Sequence, residues 1–331
     1  MSAGSPSRIN ARRLASWVLL VASVVFVVLI LLRDREAFAS LQRVGVGSLA
    51  VLALAQIIYL VLQSYRQWIV LLRCGGERVP FGYWLRIFVI GRVLNSLLPQ
   101  AGNVYRGVRL KRDHRVTYTE YVTLFFAFTW LATIFNLALA AVVLAVFKAD
   151  VEVAGVNGVV AVVALLVALI AAPFVLRAIT ALSPGRAHWV AWTRERLLQL
   201  FDGSIELLRH RRLLVELAVS GVAALLLVSG IFWIVFQALD VDTSLAEVVL
   251  LYVLLQTSTY VNLTPGNLGV QEAIFGILSS QVGFAAATGV LVSAIVRATG
   301  YVALAVVAVA VGGRELRAAL RSARERDAVQ N

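Results

Sequence analysis

Apolar stretches of membrane-spanning length follow one another along nearly the whole chain, and no intervening stretch is long enough to build a water-soluble domain. They fall at 14–32, 48–72, 81–99, 119–147, 156–182, 213–239, 245–263, 268–282 and 284–312. An apolar helix of ~20 residues crosses the ~30 Å hydrocarbon layer of a bilayer, and only helices or closed barrels satisfy their backbone there. Composition points the same way: 60% of the residues are hydrophobic and 15% charged, against roughly 25% charged in soluble domains. A soluble enzyme and a nucleic-acid binder are thereby excluded, despite a net charge of +12. One cysteine, Cys74, rules out a disulfide framework, and with three histidines it leaves no material for a zinc cluster. No metal or cofactor is expected. The chain reads as an all-α polytopic membrane protein forming one domain, 1–331, with a membrane core at 14–312 and basic tails at 1–13 and 313–331.

The run at 14–32 follows Arg8, Arg12 and Arg13, and Ala37-Phe38-Ala39 imitates a signal-peptidase site. A signal core has about 7–15 residues, whereas this run is longer and is followed by Arg33-Asp34-Arg35-Glu36, so it reads as an uncleaved first span. Lys and Arg counts in the loops set the topology. The N-terminus, the segment 183–212, and the tail carrying Arg314, Arg317, Arg321, Arg324 and Arg326 are basic and read as cytoplasmic. Segments 148–152 and 240–247 are acidic and read as external. Segment 183–212 mixes arginines with Trp189, Trp192 and leucines, which suits a helix lying in the membrane interface.

Parity then becomes decisive. Segments 73–78 and 106–115 are both basic, yet the apolar stretch 81–99 separates them, so it must enter from the cytoplasm and turn back. The pair 245–263 and 268–282 must likewise enter from outside and return. The expectation is about six spans plus two re-entrant, broken-helix hairpins inserted from opposite faces. The hairpin tips resemble each other: Pro99, Gln100, Ala101, Gly102 and Asn103 can be set against Pro265, Gly266, Asn267, Leu268 and Gly269, and without a gap Arg106 falls opposite Glu272. Proline removes a donor and glycine admits positive φ, so each tip ends one helix and lets another begin at depth. Similar tips of opposite topology indicate an inverted repeat.

The half-helices starting near Gly102 and Leu268 would aim free N–H groups and positive dipole ends at a shared polar cavity, which favours an anion such as phosphate. Asn95, Asn103 and Asn262 add polar side chains at the breaks. A central arginine costs roughly 2.5–3.5 kcal/mol on insertion scales, so Arg106 and Arg297 need partners, and Glu272 is the acid within reach of either. Arg66 lies near the end of its span, where snorkelling to the interface explains it. Asp113-His114 is a weak acid/base dipeptide, and no paired-carboxylate, Walker or dinucleotide motif occurs, so the chain reads as a non-enzyme.

Asn95-Ser96-Leu97-Leu98-Pro99 with Gly102 and Arg106, the segment from Pro265-Gly266 through Gly269 to Glu272, and Arg297 followed by Tyr301 resemble the motifs of the lysylphosphatidylglycerol synthase transmembrane region family, flippase-like integral membrane proteins. The resemblance runs over roughly 14–312. It departs at Asn103, where the family often has an acid, and at Gln271, where it often has arginine. The cytoplasmic aminoacyltransferase domain that accompanies this region in some members is not expected here, so lysyl transfer is not implied. The resemblance implies translocation of a phospholipid or lipid-linked anionic headgroup between the leaflets of the cell (inner) membrane, with membrane lipids as partners and Arg106, Glu272 and Arg297 contacting the headgroup. The alternative is an accessory or synthase subunit beside lipid, hopanoid or polyprenyl-glycan biosynthesis enzymes. In a Cys74→Ser background, cysteines placed at Glu77 and Arg112 should react with an impermeant thiol reagent from one side only. Reaction from opposite sides would make 81–99 a true span.

Overall fold

The computed structural model describes residues 45–74, 78–97, 100–147, 152–153, 155–182, 209–258 and 267–330. Its helices are α1 (Val46–Cys74), α2 (Phe81–Leu97), α3 (Ala101–His114), α4 (Tyr118–Phe147), α5 (Gly158–Leu182), α6 (Arg211–Ala238), α7 (Leu245–Ser258), α8 (Val270–Gln281) and α9 (Ala286–Gln330). Among the described residues, α1, α4, α6 and the Ala286–Gly313 part of α9 are long and apolar enough to cross a bilayer, and α5 carries a shorter apolar stretch, Gly158–Ala172. The chain is an all-α polytopic membrane protein. The expected first span at 14–32 and the interfacial segment at 183–208 lie outside the described residues, as do Pro99, Asn262, Pro265 and Gly266.

Helices α2 and α3 pack on each other, as do α7 and α8. Apart from those of α5 and the ribbon before it, the remaining contacts come in matched sets. Helix α1 packs on α6; α2 packs on α9 as α7 packs on α4; α1 touches α9 as α6 touches α4. Reciprocal pairing of this kind is what a pseudo-two-fold axis relating α1–α4 to α6–α9 produces. The axis lies in the membrane plane, because α1 and α6 run antiparallel. Arg73 in the last turn of α1 donates from Nε to Glu216 near the start of α6 (3.0 Å), while Leu52 near the start of α1 shares a core cluster with Val235 and Phe236 near the end of α6. The base of the α2–α3 pair packs with Leu71 at the end of α1. The α7–α8 pair packs with Leu52 and the end of α6 at the opposite face. The two hairpins therefore enter from opposite sides, as an inverted repeat requires.

The basic segment at 106–115, expected as a loop, is mostly the returning helix α3. Indole N–H groups fix its partner α2 to α1: Trp84 donates to the Ser64 carbonyl (2.9 Å) and Trp68 to the Val79 carbonyl (2.7 Å). Asp113 closes the hairpin's base, accepting from Arg112 Nε and from the Tyr83 hydroxyl, both at 2.7 Å. The Arg112 bond, then the Tyr83 bond, holds the Asp113 carboxyl down at about 2. Because that pKa is depressed, the clasp is intact at neutral pH and is lost only as pH falls toward that value. These bonds give Asp113 a structural role at the base of the hairpin.

Two details extend the all-helical expectation. A two-residue antiparallel ribbon, β1 (Glu152–Val153) and β2 (Val156–Asn157), joins α4 to α5, and β1 touches α8. Helix α9 does not end at the bilayer. It continues from Gly313 to Gln330, about 25 Å further at 1.5 Å per residue.

At the α2–α3 crossing the backbones meet without side chains between them. A Cβ built on Gly102 would lie 1.8 Å from the Gly91 carbonyl oxygen. Gly102→Ala should therefore lower the unfolding temperature of the purified protein, with an overpacking cost of about 1–3 kcal/mol or more. Gly82→Ala, which meets nothing within 4 Å, should leave it unchanged or slightly higher.

Candidate functional site

Helices break at mid-depth where the two hairpins end, and a single cavity of about 640 Å³ opens between them. It is lined at the first tip by Asn95, Ser96, Gln100, Asn103 and Arg106, and at the second by Gln256, Asn267 and Gln271. The long helices contribute their middles: Gln56 to Gln67 of α1, Phe125 to Asn136 of α4, and Ser293 to Leu304 of α9. Four arginines face it, Arg66, Arg92, Arg106 and Arg297, and among the described lining residues there is no aspartate or glutamate.

At the first tip, Asn95 in the last turn of α2 caps the start of α3. Its Oδ1 accepts the Gly102 N–H at 2.7 Å, taking up one of the amide groups that a helix start leaves unpaired. Gln100 precedes α3 with φ of 65°. The Asn103 side chain reaches back to Gln100 and also accepts from Arg106 Nη2. Arg106, 3% exposed, further donates to Gln67 Oε1 (3.1 Å) and to the Gly102 carbonyl (3.3 Å). Its guanidinium lies between the Phe88 and Phe125 rings, 5.4 and 5.5 Å from their centroids.

The second tip repeats the logic with a stronger partner. Gly269 precedes α8 with φ of 77°, and the Glu272 carboxylate accepts its N–H at 2.8 Å. The other carboxylate oxygen takes Arg297 Nε at 2.8 Å, and Arg297 Nη2 also donates to Gln271 Oε1. Glu272 thus pairs with Arg297. The structure also corrects the register of the repeat. Helix α3 begins at Ala101 and α8 at Val270, so Glu272 corresponds to Asn103 and not to Arg106. Each is the third residue of its helix, bonds back to the residue before the helix, and holds an arginine. The gapless alignment missed this because the second tip is three residues longer before its helix starts.

The cavity brings together Asn95, Asn103, Arg106 and Arg297, with Glu272 behind Arg297 and Gly102 and Gly269 at the helix starts. Arg66 was expected to snorkel. Instead it is 2% exposed, faces the cavity and sits 5.5 Å from the Phe128 centroid, because it lies on the face of α1 turned toward α4 and α6. Gln56, Tyr59, Gln63 and Gln67, not among the residues expected at the site, share that face at three- and four-residue spacing, a polar stripe inside an apolar run whose signal is its helical period. Gln63 donates to the Tyr59 hydroxyl (2.7 Å), which bonds the Tyr252 hydroxyl of α7 (3.1 Å). Gln56 donates to the Val296 carbonyl (3.1 Å).

Residues 16–308 match the family described as Lysylphosphatidylglycerol synthase TM region. No curated protein and no solved structure matches the chain. Glu272→Gln strips Arg297 of its counter-charge and should destabilise the fold by about 3 kcal/mol, the low end for breaking a buried pair. The double variant Glu272→Gln/Arg297→Gln should recover most of that loss, measured as unfolding midpoints in detergent.

Proposed function

The chain belongs to the lysylphosphatidylglycerol synthase transmembrane region family, and from that premise we propose that it carries the anionic headgroup of a lipid between the two leaflets. One observation carries the reading: hairpins entering from opposite faces end at one mid-depth cavity whose described lining holds four arginines and no acid. Irregular backbone at membrane depth is tolerated where it lines a wet cavity, and a site between inverted repeats can open to either side in turn. A polar headgroup crosses through the cavity while its acyl chains stay in lipid. Arg106 and Arg297 hold the phosphate, and Glu272 neutralises Arg297 while the site is empty.

The basic end of the bundle, with Arg73, Arg112, Arg211 and Arg212, is the cytoplasmic side under the positive-inside rule, and the acidic end at Asp240, Asp242 and Glu247 is external. Both termini then face the cytoplasm, in the cell (inner) membrane. Purified protein in vesicles should speed the loss of a labelled anionic lipid from one leaflet. Arg297→Ala and Glu272→Ala should slow it about tenfold or more, a barrier increase of about 1.4 kcal/mol. Variants as fast as the unaltered chain refute these roles. Activity on lipid in detergent, where no leaflets exist, would instead identify a synthase component.

A further inference from the structure

Two buried guanidinium groups in the cavity wall carry charge that no described carboxylate balances. Arg297 is matched by Glu272, and Arg92 is exposed. Arg66 and Arg106 are buried, at 2% and 3% exposure. Among the described residues, Arg106 is met by an asparagine, a glutamine, a backbone carbonyl and two aromatic faces. Nε and Nη2 of Arg66 have no hydrogen-bond partner among the described residues. Both line the same cavity. Gln67, next to Arg66, binds Arg106, and the rings beneath them, Phe128 and Phe125, are one turn apart on α4. Cations at this depth need a counter-charge, and an unsatisfied fork of N–H donors fits the oxygens of a phosphate.

We propose that Arg66 and Arg106 form a subsite for a dianionic phosphate, the phosphomonoester headgroup of a lipid, in preference to the monoanionic phosphodiester of ordinary phospholipids. The assignment rests on the reading that the cavity receives a lipid headgroup, and it names the charge of that headgroup. A phosphomonoester carries about −1.5 to −2 at neutral pH, which matches the two buried arginines that no described carboxylate balances. A phosphodiester leaves one of them unbalanced. Arg297, already neutralised, adds contact only by leaving Glu272.

The test titrates full-length protein in detergent micelles with a fluorescent phosphatidate and competes it with unlabelled phosphatidate, phosphatidylglycerol or inorganic phosphate. Phosphatidate should compete about tenfold or more better than phosphatidylglycerol. Arg66→Gln should cut that preference to about twofold or less, and Arg66→Lys should keep most of it. Arg66→Gln removes a charge without a counter-charge, so its unfolding temperature should equal or exceed that of the unaltered chain. Equal competition by the two lipids, or a preference unchanged in Arg66→Gln, overturns the proposal. So does a lowered unfolding temperature, which would mark Arg66 as a packing strut. Inorganic phosphate should fail at the lipid's concentration; if it competes as well, the ligand is the free anion and the lipid assignment falls. Translocation with no headgroup preference sinks this inference alone, whereas preference without translocation sinks the transport reading alone.

Discussion

Backbone amides and carbonyls left without ladder partners inside a bilayer are the constraint on which this molecule is built. Two helices stop and two start at mid-depth, and each break must be satisfied by protein or water, because lipid offers no hydrogen bonds. The solution is local at each tip. Asn95 accepts the Gly102 N–H, and Glu272 accepts the Gly269 N–H. Once the breaks are capped by polar side chains, the space between them is polar as well. The cavity is a consequence of stopping the helices there, and the reciprocal packing of α2 on α9 and α7 on α4 brings both breaks to the same place.

The two halves use one device with different chemistry. In each, the third residue of the returning helix reaches back over the helix start and forward to an arginine. Where that residue is Glu272, the arginine is neutralised. Where it is Asn103, the arginine keeps its charge. A symmetrical scaffold therefore encloses an asymmetrical field, and Arg66, rooted on α1 beside the uncompensated tip, strengthens the imbalance. A buried cation without a counter-ion is a destabilising element.

Much of this was legible in the sequence, for identifiable reasons. Among the described residues, four spans follow from apolar length, and the hairpins from the parity of basic segments, because positive charge is costly to move across a bilayer. Gly102 and Gly269, read as parts of the tips, stand at the starts of α3 and α8. What could not be read was pairing and orientation. Proline-to-proline alignment put Arg106 against Glu272, while helix starts three residues out of register put Asn103 there. Arg66 near a helix end looked free to reach the interface, and only the packing of α1 against α4 and α6 turns it inward. The polar face of α1 was readable from its spacing, although five polar residues spread over twelve are easily lost in an apolar run.

The central claim is that hairpins from opposite faces enclose a cationic site that an anionic lipid headgroup occupies. Native mass spectrometry of the protein extracted gently from its own membrane tests it most directly. A bound lipid with an anionic phosphate headgroup is expected, retained by the unaltered chain and lost when Arg66 and Arg106 are both changed to glutamine. Protein that carries no lipid, or only zwitterionic lipids in the proportions of the bulk membrane, would contradict it.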